Sequence, residues 1–141
     1  TESESGYCLI TSSGVEINHL DTNDRSAITK AVREKGDYFQ QMILVNRGKA
    51  VPTTIFRNRT TARRALVITA SETMLVETDD RIHIDVFTDC LIRMGAIQAI
   101  YLDMGSWSEG WYRTSEGQIC RIGKNWKSSH LQTNWLVIKK R

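Results

Sequence analysis

The chain has 141 residues, of which 40% are hydrophobic and 25% are charged, and its formal net charge at pH 7 is +3. This length and balance are typical of one globular domain, and they exclude intrinsic disorder and fibrous architectures. A charge of +3 without a concentrated basic patch does not indicate a nucleic-acid partner. No apolar run of about 18 residues is present, so we expect no membrane span, and the first residues, TESESG, lack the apolar region of a signal peptide.

The first predicted element is a short amphipathic helix over residues 24–34. Thr22 or Asn23 is available as its N-terminal cap, and Gly36 is suited to end it. The apolar side chains predicted to share one face of this helix are Ala27, Ile28, Ala31 and Val32.

Two β-hairpins are predicted next. Residues 38–46 (YFQQMILVN) are rich in strand formers, and a turn at 47–49 precedes a returning strand at 51–56. A second hairpin follows, with strands at 65–69 and 73–78 around a polar turn at 70–72.

A helix is predicted over residues 84–94, followed by a short buried strand. The apolar positions of 84–94 recur at spacings of three and four, and Gly95 then ends the helix. Residues 97–102 (IQAIYL) form an apolar run of the kind found in buried strands, and this run leads into Asp103.

Three further short strands are predicted in the tail, at 111–113, 118–121 and 135–139. The predicted strands thus outnumber the predicted helices, and they lie on both sides of the helix at 84–94 in the sequence. We therefore predict an α+β fold in a single domain, residues 1–141, with a mixed or antiparallel sheet packed on one long central helix and one shorter N-terminal helix.

The loop after the strand at 97–102 is the best candidate site. Glycines allow backbone N–H groups to approach an anion, serines add hydroxyl donors, and tryptophans stack on sugar rings. Two carboxyl groups are what glycosidic hydrolysis commonly needs. The alternative is a structural turn with solvated carboxylates and core tryptophans. The candidate residues are Asp103 and Glu109 for acid and base chemistry, and Gly105, Ser106, Trp107, Ser108 and Trp111 for substrate binding.

A second cluster of candidates is basic. Arg57, Arg59, Arg63 and Arg64 lie in a polar stretch before a strand, and arginine binds phosphate oxygens through two N–H groups. Neighbouring residues on a strand point to opposite faces, so at most one of Arg63 and Arg64 enters a given pocket. The alternative for the others is a solvated surface. Anion or nucleic-acid binding by this cluster is a weaker hypothesis, because no aromatic residues alternate with the arginines.

No metal or cofactor is expected from the remaining polar residues. The three histidines are isolated, and the three cysteines form no CxxC pair. Asp79 and Asp80 beside His83 are better explained by helix capping than by a cation. Cys90 is expected to be a buried thiol, which leaves Cys8 and Cys120 as the one pair to test for a disulfide.

The order of several short motifs resembles the phosphodiester glycosidase family, which includes the uncovering enzyme that removes N-acetylglucosamine from mannose 6-phosphate. The order begins with residues 62–66 (ARRAL). A strand, a turn, a second strand and a helix follow, and the order ends with residues 99–106 (AIYLDMGS). Residues 36–39 (GDYF) and 133–137 (TNWLV) are similar to flanking segments of the family. The resemblance spans residues 36–141, although Met104 and Asp37 stand where the family has glycine.

The resemblance implies an α+β fold and hydrolysis of a sugar 1-phosphodiester. Asp103 and Arg63 fall on family motif positions, and Arg64 is the alternative arginine if the register shifts by one. The implied protein is a secreted or periplasmic bacterial hydrolase with a carbohydrate or sugar-phosphate substrate. The rival hypothesis is a noncatalytic glycan-binding or interaction module with the same fold, in which Trp107 and Trp111 form the contact surface.

Overall fold

The computed structural model describes residues 4–21, 23–102, 109–123, 130 and 135–138. Contacts divide the chain into two units, Thr1–Asp103 and Met104–Arg141. The elements of the first unit are β1 (Gly6–Thr11), β2 (Gly14–His19), α1 (Ser26–Glu34), β3 (Asp37–Gln41), β4 (Ile43–Asn46), β5 (Lys49–Ala50), β6 (Arg64–Ile68), β7 (Thr73–Glu77), α2 (Ile84–Arg93) and β8 (Gln98–Tyr101). The second unit contains β9 (Gly110–Arg113) and β10 (Ile119–Ile122).

The first unit contains two antiparallel sheets. One has three strands in the order β2-β1-β3, and the other has five in the order β5-β4-β8-β6-β7. The hairpin of β1 and β2 was not predicted, although apolar and polar residues alternate along β2 after a Ser12-Ser13 turn. That alternation is the signal that could have identified it.

Buried side chains cover both faces of the five-stranded sheet. On one face, Phe87 and Leu91 of α2 pack with Val67 of β6 and Ala99 of β8. On the other face, Cys8 of β1 packs with Leu66 and other buried residues of the five-stranded sheet. The first unit is therefore layered as helix, sheet and sheet, because each face of the central sheet is apolar and must be covered.

The predicted fold class is wrong. The described chain is mostly β, and its two helices have only nine and ten residues, so no long central helix organises the sheet. The periodicity at 84–94 does encode a helix, but Gly95 follows at once with a φ of +88°, a conformation suited to glycine. The face of the five-stranded sheet opposite α2 is covered by the three-stranded sheet and not by a helix.

The N-terminal helix was predicted at the right place, but only part of its predicted apolar face points inward. Ala31 is buried, whereas Ile28 is 42% exposed and Val32 is 76% exposed. The residue at the N-cap position, Arg25, makes no capping hydrogen bond with its side chain; instead, the Asp24 side chain accepts a hydrogen bond from the Ser26 N–H at 2.8 Å. The small side chain of Ala31 allows α1 to lie close to its sheet.

The predicted strand at 38–46 is split between the two sheets. β3 belongs to the three-stranded sheet and β4 to the five-stranded sheet, and buried Met42 lies between them. The hairpin turn after β4 was predicted correctly, since Arg47 and Gly48 both have positive φ, as a type I′ turn requires. Its returning strand, however, is only the two-residue β5.

The hairpin of β6 and β7 was predicted correctly. In its turn, the Thr69 hydroxyl accepts hydrogen bonds from the N–H groups of Ser71 and Glu72. In the tail, β9 and β10 confirm two of the three predicted strands. Residues 135–138 form no strand.

Gly36 lies where the chain leaves α1 and passes β1 at very short range. A methyl group placed on its Cα would lie 2.4 Å from the backbone oxygen of Ile10, which cannot move without disturbing the pairing of β1. We therefore expect Gly36→Ala to lower the free energy of unfolding by about 2–3 kcal/mol, the usual penalty of overpacking. Chemical denaturation measures this loss.

The matched control is the neighbouring Lys35, which already has the left-handed conformation, with a φ of +51°. Glycine adopts this conformation without steric strain, so Lys35→Gly should keep or slightly raise the stability. Equal losses in both variants would contradict the close-approach explanation for Gly36.

Candidate functional site

The candidate site is organised by the end of β8. This strand lies between β4 and β6, and its residues Ala99, Ile100 and Tyr101 are buried. The N–H of Leu102 donates to the Arg64 carbonyl at 2.9 Å. The chain therefore leaves the sheet beside the start of β6, where the two predicted arginines lie.

Arg63 is completely buried, with 0% of its surface exposed. Its guanidinium donates three hydrogen bonds, all to uncharged oxygens: Nε to Ile82 O at 3.3 Å, Nη1 to Tyr101 Oη at 3.2 Å and Nη2 to Arg59 O at 2.7 Å. The hydrogen bonds connect three separate segments of the chain. Arg63 thus fastens the loop before β6 and the segment before α2 to the end of β8.

Two aromatic rings complete the surroundings of Arg63. Its guanidinium carbon lies 5.5 Å from the centroid of the Phe56 ring and 5.8 Å from that of Tyr101, within the range of cation–π attraction. Phe56 has a φ of +62°, a conformation that bulky residues rarely adopt. Such strain persists only where surrounding contacts impose it.

No carboxylate among the described residues pairs with Arg63. A buried cation normally has an acidic partner, because desolvation of a charge is unfavourable by several kcal/mol. Among the described residues, the positive charge is balanced by carbonyl and hydroxyl dipoles and by the two rings. The end of β8 therefore lies over a positive charge that no described acid neutralises.

Arg64 points to the opposite face and already has a partner. It lies directly across from Glu77 in the pairing of β6 and β7, and its Nε donates to Glu77 Oε2 at 2.7 Å. Nη2 of Arg64 forms an ion pair with the same oxygen. To bind a phosphate, Arg64 would have to exchange this carboxylate for the ligand.

Of the predicted site residues in the second unit, two are described, Glu109 and Trp111. Trp111 lies on β9 opposite Arg121 of β10, and 59% of its surface is exposed. Glu109 is half-buried just before β9. The turn of this hairpin is closed by the Thr114 N–H, which donates to the Gln118 carbonyl at 2.9 Å.

The other predicted site residues lie outside the described residues. These are Asp103, Gly105, Ser106, Trp107 and Ser108.

No protein-family model and no curated protein matches the chain. The assignment of a function therefore depends on the residues themselves and on their geometry.

Within the described ranges, no three or more His, Cys, Asp and Glu side chains are grouped so as to hold a metal ion. In the same part of the chain, no helix is both long enough and apolar enough to cross a membrane.

The contacts of Arg63 with Phe56 and Tyr101 were not predicted from the sequence. Tyr101 could have been suspected, because it lies in the same strand two residues before Asp103 and carries the one hydroxyl of that strand. Phe56 was assigned to a strand, and nothing in its neighbourhood indicates that its ring covers an arginine. That contact depends on the fold of the loop.

The three cysteines are free in the structure, including the Cys8 and Cys120 pair considered above. Cys8 is buried between the two sheets, and burial raises the pKa of its thiol from 9.0 to about 12. Cys90 is half-buried, not buried. The Cys8 thiol therefore stays protonated in the folded chain at pH values where a free thiol ionises.

We expect iodoacetamide at a pH near 9 to leave Cys8 unmodified in the folded protein and to alkylate it after denaturation, because the thiolate is the reactive form. Peptide mass spectrometry measures the modification, and half-buried Cys120 is the internal control. Because the folded pKa lies above the unfolded one, the contribution of Cys8 to stability is complete below pH 9.0 and is lost as the pH rises toward 12. Rapid alkylation of Cys8 in the folded protein would contradict its burial.

Proposed function

We propose that the protein is a hydrolase that acts on a glycosyl phosphodiester or a related glycan linkage. The motif order that resembles the phosphodiester glycosidases supports this proposal. The observation that carries it is the buried Arg63 at the end of β8, from which the chain continues in sequence to Leu102 and Asp103. A phosphodiester is an anion, and a positive charge that has no acidic partner among the described residues favours its binding in a region of low dielectric constant.

In this proposal Asp103 is the catalytic carboxylate, and Glu109 is its partner in acid and base chemistry. The backbone N–H groups of Gly105 and Ser106 donate to the developing negative charge. Trp107 and Trp111 stack on the sugar, and the Ser108 hydroxyl donates to it. The substrate is a carbohydrate or sugar phosphate, and the protein acts in a secreted or periplasmic location.

The two arginines have different roles in the proposed mechanism. Arg63 has no exposed surface, so it supplies positive potential and holds Tyr101 without touching the substrate. Arg64 reaches a phosphate only if Glu77 releases it. Neither arginine is therefore proposed as a ready-made phosphate-binding residue. Arg63 stabilises the bound phosphate through its charge, and Arg64 contacts the phosphate only after its ion pair with Glu77 has opened.

The decisive experiment is an assay for free sugar with a panel of sugar 1-phosphodiesters that differ in the sugar. Release above the rate in buffer supports the proposal and identifies the preferred sugar. The panel also contains the corresponding phosphate-free glycosides, which test whether the phosphate is needed. A folded protein that releases sugar from neither set would refute the hydrolase proposal.

The second candidate function is a noncatalytic glycan-binding module. It is favoured by the aromatic surface of the second unit, where Trp111 is 59% exposed and Tyr112 is 53% exposed. Exposed aromatic residues stack on sugars without any acid or base. This function predicts that the same sugars bind, as measured by calorimetry, without release, and that Trp107→Ala weakens binding.

A further inference from the structure

The last strand of the five-stranded sheet, β7, has an edge that no described strand covers. Its described neighbour is β6, and no other described strand pairs with it. An exposed edge strand carries a row of backbone donors and acceptors that can pair with another chain.

The hydrogen-bond pattern shows which groups of β7 face outward. The Thr78 N–H donates to Arg63 O, and the Thr69 N–H donates to Glu72 O, both at 2.9 Å. In an antiparallel pair, hydrogen-bonded positions alternate with non-bonded ones. Met74 and Val76 therefore bond to β6, and the backbone N–H and C=O groups that point away from β6 are those of Thr73, Leu75 and Glu77.

Natural edge strands are usually protected by shortness, by charged residues or by proline. At the opposite edge of the same sheet, β5 has only two residues. By contrast, β7 reads TMLVE, without lysine, arginine or proline, and its single charge, Glu77, is paired with Arg64. The edge of β7 thus lacks these protections.

Side chains at this edge add an apolar surface. Leu75 lies opposite Leu66, a buried core residue of β6, and Leu75 itself is 37% exposed. Its exposure leaves the apolar face of the sheet incompletely covered where the sheet ends. A strand added beyond β7 would cover this leucine.

We propose that β7 pairs antiparallel with β7 of a second copy of this chain, which joins two five-stranded sheets into one of ten strands. A two-fold axis through Leu75 places Leu75 beside its counterpart and Thr73 opposite Glu77 of the other copy. The two Glu77 carboxylates are then apart, and each is already neutralised within its own chain by Arg64. The sequence of β7 is thus compatible with itself in antiparallel pairing, which favours a second copy as the occupant.

The proposal is tested by sedimentation velocity over protein concentrations from about 1 μM to about 1 mM, because a single strand pair buries little surface and associates weakly. We expect the mass to rise from 16.1 kDa toward twice that value and to stop there. Leu75→Lys should keep the protein monomeric, because it places two like charges directly opposite each other. The control is Val86→Lys on α2, where Val86 is 47% exposed, and this variant should dimerise like the wild type.

Residue-resolved amide exchange by NMR gives a second test on the wild type, which holds even if Leu75→Lys folds poorly. The Leu75 and Glu77 amides should exchange quickly in dilute protein and slowly in concentrated protein, while those of Met74 and Val76 stay protected at both concentrations. A mass of 16.1 kDa over the whole range would overturn the proposal and leave the edge to a different partner. Protection of Leu75 that does not depend on concentration would overturn it too.

Discussion

Replacement of Asp103 by asparagine is expected to reduce the release of free sugar by about 100- to 10,000-fold, the range in which a positioned acid or base contributes. The substitution removes the charge and the ability to exchange a proton but keeps the size of the side chain. The rate is measured on the best sugar 1-phosphodiester of the panel. Circular dichroism of both proteins verifies that they are folded.

The matched control for this prediction is Asp89→Asn, which changes an exposed carboxylate on α2. This variant should release sugar at the wild-type rate, since Asp89 lies in the middle of the helix and has no role in the proposed chemistry. Substantial turnover by a folded Asp103→Asn protein would remove Asp103 from the mechanism. It would leave open a hydrolase that uses Glu109.

The role of Glu109 is tested separately in the same assay. If Asp103 and Glu109 divide the acid and base chemistry, Glu109→Gln should also reduce the release of free sugar by about 100-fold or more. Release at the wild-type rate by a folded Glu109→Gln protein would remove Glu109 from the mechanism.

Replacement of Arg63 by alanine is expected to lower the free energy of unfolding by about 3–5 kcal/mol. The truncation leaves a cavity in the core, and it removes the three hydrogen bonds that Arg63 donates to the carbonyls of Arg59 and Ile82 and to the Tyr101 hydroxyl. Hydrogen bonds from a charged donor each contribute about 1.5–3 kcal/mol. The gain from no longer burying a charge is several kcal/mol, and the loss of three such bonds and of the packing exceeds it.

Urea denaturation of the purified proteins measures this difference. The control is Arg33→Ala on α1, which removes an arginine whose side chain is 71% exposed in its ion pair with Glu34, and its loss should be about 1 kcal/mol or less. Equal stabilities of Arg63→Ala and the wild type would mean that the desolvation penalty of the buried charge cancels its hydrogen bonds. In that case Arg63 would not hold the end of β8.

The stability of the Arg63 variants also bears on function. Arg63→Lys keeps the charge but cannot donate to three separate oxygens in the plane of a guanidinium. We expect this variant to be less stable than the wild type while keeping more activity than Arg63→Met, because the positive potential at the end of β8 is retained.

Several elements of this protein follow from short stretches of sequence. The helix at 84–94 is encoded by apolar residues at spacings of three and four and by Gly95, all within a dozen positions. The hairpin of β6 and β7 is encoded in the same way, by strand formers around a turn in which Thr69 bonds to its neighbours. Local periodicity and turn chemistry act over a few residues, so these elements could be predicted.

Other features depend on residues that are remote in sequence. The separation of β3 from β4 at Met42 cannot be inferred from the run YFQQMILVN, which is uniformly suited to a strand. Of the four apolar residues predicted to share the inward face of α1, the close approach to the sheet buries the small Ala31 and leaves the larger Ile28 and Val32 exposed. In both cases the outcome depends on the neighbouring strand or sheet, which determines which sheet a strand joins and which helix residues are buried.

The candidate site also combines features that residue type predicts with features that depend on residues remote in sequence. The sequence alone identified the loop that begins at Asp103 and the two arginines as chemically notable, because residue type carries that information. Only the tertiary structure decided that Arg63 is buried against Phe56 and Tyr101 while Arg64 pairs with Glu77, and that β7 ends the sheet with an edge that no described strand covers. The physical reason is that burial, strand order and charge pairing depend on which distant segments pack together, and the insertion of β8 between β4 and β6 brings those segments into contact.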